Sequence, residues 1–208
     1  MKEYKKLVWL TSFVTGFPML VGIFLWGRLP MRIATHFATD NSPDRFSSKP
    51  FAVFGLPALL LLIHLISIYI AFNDPKRKNI SKKNLMLVFW IVPLISLSSC
   101  LSIYSIALET EIDISLIAKL VIGAVFILIG NYLPKCRQNY TVGFKTPWSL
   151  SSEENWNRTH RFGGWVFVVS GLAVLLSIIF DQDWIIYPVI VSFFLPVLYS
   201  FVLYKKGV

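Results

Sequence analysis

The chain is short of charge, of carboxylates and of cysteine, and each shortage narrows what it can be. Only 15% of its 208 residues are Asp, Glu, Lys or Arg. A soluble domain of this size carries about a quarter, so the bilayer is the solvent that fits. Two cysteines are too few for a disulfide framework. Three histidines and eleven carboxylates leave little material for a metal centre or a paired-carboxylate site. Basic residues number twenty, for a net charge of +9. The cations alternate with apolar runs too long for a soluble core, so this excess reads as a record of membrane orientation and not as a footprint for nucleic acid.

What is present in quantity is apolar sequence: 55% of residues are hydrophobic and the mean hydropathy is +0.64. A spanning helix needs roughly 20 mostly apolar residues. Six stretches qualify: Leu7–Gly27, Phe51–Phe72, Leu85–Leu108, Ser115–Leu133, Gly163–Phe180 and Trp184–Tyr204. The first follows a basic MKEYKK segment, as a signal peptide would. Its apolar run is too long for one, and it leads into WGRLP with no small-residue cleavage site, so it reads as a retained anchor. The fold class expected is an all-α integral membrane protein with six transmembrane helices. Fifteen basic residues fall on the side holding both termini and four on the other (Arg28, Arg32, Arg45 and Lys49), which predicts cytoplasmic termini and a multi-pass bacterial cell-membrane protein. Residues 1–72, with an extracytoplasmic loop at 28–50, are expected to form one region. Residues 73–208, four helices with a cytoplasmic loop at 134–162, form the other.

That topology removes several chemistries. His36 falls in the outer loop, His64 about midway through the second span and His160 in the cytoplasmic loop, so the three cannot share one metal across a hydrocarbon core about 30 Å thick. Neither a metal nor any cofactor is expected. Cys100 and Cys136 lie at different depths, which predicts no disulfide. Within the spans, Ser98, Ser102 and Ser105 share one face of the third, and Gly123 and Gly130 lie seven apart in the fourth; both patterns suit close helix packing. Pro93 and Pro196 each remove an intrahelical hydrogen bond. His64 reads as a neutral imidazole bonded to a neighbouring helix, and no Asp, Glu or Arg sits mid-span to serve proton-driven transport.

Two polar segments interrupt the apolar runs. The outer loop, GRLPMRIATHFATDNSPDRFSSKPF, places turn-forming DNSPD beside His36, Asp44 and Lys49. It reads as a turn-rich lid pinned by an Asp–Lys or Asp–His pair, or as a surface that meets something arriving from outside. The cytoplasmic segment reads as an ordered platform. Gly143 and Pro147 punctuate a turn there, and Pro147 disfavours helix at Thr146. Asn139 and Thr146 suit turn closure. Ser151 and Glu154 have capping-box spacing, which predicts a helix from Ser151. On that helix Trp156, His160 and Gly163 or Gly164 share a face. Trp148 and Trp156 suit headgroup depth, while Lys145, Arg158 and Arg161 suit contact with anionic lipid. Ser151, Glu154 and His160 supply residue types for catalysis, but no nucleophile elbow, phosphate loop or metal motif accompanies them.

Both segments carry family patterns. Leu29, Pro30, Ile33, His36, Phe37, Pro43, Asp44, Ser48 and Lys49 resemble a domain of unknown function found at the start of many small bacterial membrane proteins. Ala34 departs from it where a second proline is usual, and Asn41 where glycine is; asparagine tolerates left-handed backbone, so the turn is expected to survive. Gly130-Asn131-Tyr132-Leu133-Pro134, Asn139-Tyr140, Gly143, Lys145-Thr146-Pro147-Trp148, Leu150, Glu154, Trp156 and Thr159-His160-Arg161 resemble the signature of the SdpI family of bacterial membrane immunity proteins. Ser149 stands for a threonine there, and Gln138 for a frequent proline. The resemblance covers nearly the whole chain.

It implies protection against a secreted antimicrobial peptide toxin without catalysis. In signalling members it also implies capture of a small winged-helix autorepressor at the membrane, with no direct binding of nucleic acid. Carried over, it places His36, Asp44 and Lys49 toward the toxin. Asn131, Asn139, Gly143, Lys145, Thr146, Pro147, Trp148, Trp156, Thr159, His160 and Arg161 fall on the cytoplasmic platform, where each either meets a partner or builds the platform itself. The competing readings are a transporter of amphipathic peptides or small molecules and, less favoured by the residues present, a membrane enzyme.

Overall fold

A computed structural model describes residues 2–38, 42–180 and 186–208. Asn41 and Trp184, on which the turn and the start of the last span were expected, lie outside the described residues. Among the described residues six helices are long and apolar enough to cross a membrane. They are α1 (Lys5–Phe24), α2 (Leu56–Phe72, preceded by a π-helical turn at Phe51–Gly55), α3 (Lys82–Ala107), α4 (Ile114–Tyr132), α6 (Glu153–Ile179) and α7 (Ile186–Lys205). A five-residue helix, α5 (Pro147–Ser151), precedes α6. Large apolar side chains such as Phe13, Phe24, Trp165, Ile179 and Phe194 stay exposed along these helices, as bilayer-facing positions must. The chain is a multi-pass membrane protein.

Two differences from the sequence reading concern the outer loop and α6. The loop is a two-stranded antiparallel hairpin, β1 (Arg32–Phe37) with β2 (Pro43–Ser48), and not turns alone. Register shifts between Ala34 and Phe37 break the alternation that would announce a strand. Helix α6 begins ten residues before the apolar run at Gly163, so platform and span share one continuous helix.

The contacts divide the chain into two compact units. Unit 1 holds residues 1–69 and 88–121. Its core gathers Leu29 and Ile33 from the hairpin's root with Ala52, Val53, Cys100, Ile103 and Tyr104. Polar side chains tie its helices. His64 Nε2 lies 3.0 Å from Thr11 Oγ1, whose own proton goes to Leu7 O at 2.8 Å, so the imidazole donates and is bonded to a neighbouring helix as expected. Ser96 Oγ donates to Thr15 O at 2.7 Å. Ser98 and Ser102 do not reach across in this way. Each bonds a carbonyl of its own helix, and Ser96, two residues before Ser98 and buried, makes the inter-helix contact. Lys119, one turn inside α4, is a buried cation that the reading of the spans passed over.

Unit 2 holds residues 70–87 and 122–208. Helices α4 and α6 cross antiparallel at two glycine pairs one heptad apart. A Cβ on Gly130 would stand 2.7 Å from Gly164 O, and one on Gly171 2.8 Å from Gly123 O. Backbones this close leave no room for any side chain, which explains the seven-residue spacing of Gly123 and Gly130. Phe126, Leu133 and Phe167 fill the space beside the crossing, with Phe144 from the platform against Phe167. The C-terminal end of α4, the N-terminal end of α6 and the C-terminal end of α7 therefore share one end of the unit. The platform sits there.

Candidate functional site: an exposed hairpin and a polar platform

In the hairpin, His36 Nδ1 and Asp44 Oδ1 are 2.6 Å apart across the two strands, and Thr35 meets Ser47 at 2.9 Å. The His36 and Asp44 side chains remain 58% and 42% exposed, so the pair is a surface clasp. Of the two pairings expected, the structure takes Asp–His. Lys49 goes elsewhere. It is buried, donates to Trp26 O at 3.0 Å and lies over the Trp26 ring, 5.1 Å from its centroid. Lys49 therefore fixes the hairpin's root to the end of α1, while His36, Asp44, Arg45 and Phe46 stand in the open.

The platform is built differently, from buried polar side chains that answer backbone groups. Asn139 Oδ1 accepts from the N–H groups of Thr141 and Val142 at 2.8 and 2.7 Å, closing the expected turn. Gly143 follows with φ +118°, a conformation that disfavours a side chain, and a Cβ there would collide with His160 Nε2. His160 is buried and stacked on Trp156, with ring centroids 3.9 Å apart. Its Nε2 accepts from Phe144 N–H at 3.0 Å and its Nδ1 donates to Trp156 O at 2.7 Å. An Nε2 that accepts carries no proton, so this is the neutral Nδ1–H tautomer with both nitrogens engaged.

Thr146 does more than close a turn. It caps α5 in a reciprocal box with Ser149, and Pro147 takes the first helical position. The cap of α6 is Ser152, one residue later than the Ser151–Glu154 spacing suggested; its hydroxyl accepts from Asn155 N–H at 3.2 Å. Ser151 Oγ instead donates to Trp148 O, and Glu154 pairs with Arg158 one turn on. Trp156 is also a correction. It is fully buried and donates its indole N–H to Cys136 O at 2.8 Å, so it is a core residue and not a headgroup-depth anchor. Trp148 lies against Phe201 and Tyr204, and its indole N–H is buried with no partner among the described residues. Thr159 donates to Asn155 Oδ1, while Lys145 donates to Thr141 O from an exposed position. Asn131 is exposed at the C-terminal end of α4, and Arg161 is exposed about two turns into α6.

Several residues that organise the platform escaped the sequence reading. Asp74, buried in the loop after α2, accepts from Lys76 N at 2.7 Å, Tyr140 N at 2.9 Å and Thr141 Oγ1. Gln138, noted only as a departure from a frequent proline, donates to Ser149 O and Leu150 O at 3.1 and 2.8 Å and accepts from Lys76 Nζ. Proline would supply none of these bonds. Asn155 donates to Ser200 O and accepts from Ser200 Oγ, joining α6 to α7. The signals were the Asp74-Pro75 turn pair and the four-residue spacing of Asn155 and Thr159 on α6. Both cysteines are free and buried. Burial pushes the Cys136 thiol up to about 12, the hydrogen bond from Asn84 pulling it part of the way back.

With this geometry in view, relationships to known proteins can be placed on it. Residues 135–204 match the SdpI/YfhL protein family, and residues 13–61 match a domain of unknown function (DUF1648). The chain is 30% identical over 196 residues to the Immunity protein SdpI of Bacillus subtilis (strain 168), a match covering 90% of each protein. The chain belongs to the SdpI/YfhL protein family. The family match lies wholly within unit 2 and takes in the platform with α6 and α7; the domain of unknown function lies within unit 1. No solved structure matches the chain.

Proposed function

We propose that this SdpI/YfhL family member is a membrane immunity protein that protects its cell against a secreted antimicrobial peptide, and that its exposed hairpin meets the peptide. The observation that carries the reading is the match to an immunity protein over nine-tenths of both chains. The charge distribution supports an orientation with the hairpin outside and the platform and termini in the cytoplasm. In that orientation His36, Asp44, Arg45 and Phe46 offer an open polar-aromatic surface to anything arriving from outside.

The finer role is that of a sensor. The platform would hold a small winged-helix repressor at the membrane when the peptide occupies the hairpin side, the two events being coupled as a bias on a bundle with two packings. A non-catalytic platform agrees with its bonding: both nitrogens of His160 are engaged with backbone, Ser151 donates to a carbonyl, and Glu154 is paired with Arg158.

Expression in a peptide-sensitive bacterium tests the proposal, which expects raised survival; unchanged killing by every candidate peptide would overturn it. Directional, gradient-dependent movement of labelled peptide in vesicles would favour the transporter reading instead.

A further inference from the structure

The platform's surface carries cations that meet neutral groups only. Lys76 Nζ donates to the amide oxygen of Gln138 and lies over the Tyr140 ring, 5.8 Å from its centroid. Lys145 Nζ donates to Thr141 O at 3.1 Å. Arg137 leaves the same turn, is exposed, and has a side chain that takes no part in the turn's hydrogen bonds. Thus two segments, the loop after α2 and the turn at 137–145, bring three cations to one short stretch of backbone. The one carboxylate beside them, Asp74, is buried and spent on Lys76 N, Tyr140 N and Thr141 Oγ1. Among the described residues no carboxylate pairs with any of the three.

The depth of this turn follows from its neighbours. At the same end of unit 2, Arg77 lies over Phe72, Lys135 over Tyr132 and Lys205 over Phe201, at 5.2, 5.3 and 5.6 Å from the ring centroids. Cations laid over aromatic rings where apolar helices end mark the zone in which side chains leave hydrocarbon for headgroups. Tyr140, 46% exposed and covered by Lys76, stands on the turn itself.

We propose that Lys76, Arg137 and Lys145, set around Tyr140, form a binding site for the headgroup of an anionic phospholipid in the leaflet that contacts the platform. The headgroup phosphate would take donors that the protein leaves without an anion, and the Tyr140 ring would lie against the glycerol backbone. The site would brace the loop after α2 against the platform, because its cations come from both.

Native mass spectrometry of the full chain, released from micelles containing equal phosphatidylglycerol and phosphatidylcholine, tests this. The wild type should retain phosphatidylglycerol in preference. Each cation near a membrane surface contributes roughly a fivefold effect, so the K76Q/R137Q/K145Q variant should bind phosphatidylglycerol about a hundredfold more weakly, and R137Q alone about fivefold. A variant with equal loss of charge elsewhere, K6Q/K205Q/K206Q, should keep the preference. Equal retention of both lipids by the wild type would overturn the proposal. So would an equal loss in the second triple variant, or inorganic phosphate displacing the lipid as well as free phosphatidylglycerol does. Should the first triple variant not fold, R137Q decides: an unchanged preference overturns the site.

Discussion

The hairpin at residues 32–48 and the polar platform are both interruptions of a greasy chain, yet they are built in opposite ways. The hairpin is anchored at its root by Leu29, Ile33 and Lys49 and is open beyond it, with a surface clasp of His36 and Asp44. The platform turns its distinctive residues inward: Asn139, Ser149, Asn155, Trp156, Thr159 and His160 are all buried and bonded. Residues that look alike as functional candidates in the sequence thus divide into those free to meet a partner and those occupied in holding a loop together. In the hairpin, substitution should alter contact and spare the fold. In the platform the fold should suffer first.

The largest effect is expected at Gly143. Gly143→Ala adds backbone strain of about 1–3 kcal/mol to overpacking against His160 of about 1–3 kcal/mol, and unfolding in mixed micelles should show a loss of about 2–6 kcal/mol. A matched pair of tryptophans sharpens the contrast within the platform. Trp156→Phe leaves the Cys136 carbonyl without its donor and should cost about 1–3 kcal/mol. Trp148→Phe removes an indole N–H that has no partner among the described residues, and should change stability by less than about 1 kcal/mol. Equal losses at the two positions would erase the distinction between buried strut and peripheral ring.

Asp44→Asn in the hairpin should cost no more than about 1 kcal/mol, because exposed ion pairs contribute little. Its effect belongs on protection from the peptide, measured as survival at matched membrane abundance. The smallest effect concerns Cys136. With its thiol pushed up to about 12, almost no thiolate exists near neutral pH, and iodoacetamide should label the folded protein far more slowly than the unfolded one. Equal labelling rates would mean that the thiol is not held in the buried site beside Asn84.

The spans were legible in the sequence because the bilayer imposes a length that runs such as Phe51–Phe72 announce directly. The hairpin was hidden because β2, PDRFSS, is exposed almost throughout and β1 loses alternation at its register shifts. The cap at Ser152 stood one residue from an equally plausible serine. Trp156 could not be separated from Trp148 by composition, since tryptophan suits both a headgroup zone and a hydrogen-bonded core; only the carbonyl of Cys136, twenty residues away, decides it. The long-range bonds of Asp74 and Gln138 were invisible for the same reason, because their partners are set by packing and not by local spacing.

The most direct measurement pairs one variant from each region in a peptide-sensitive host, with survival and reporter induction read together. Asp44→Ala should lose protection at normal abundance. Trp148→Ala, inserted normally, should keep protection and lose induction. Full protection by Asp44→Ala would contradict the assignment of the hairpin as the surface that meets the peptide.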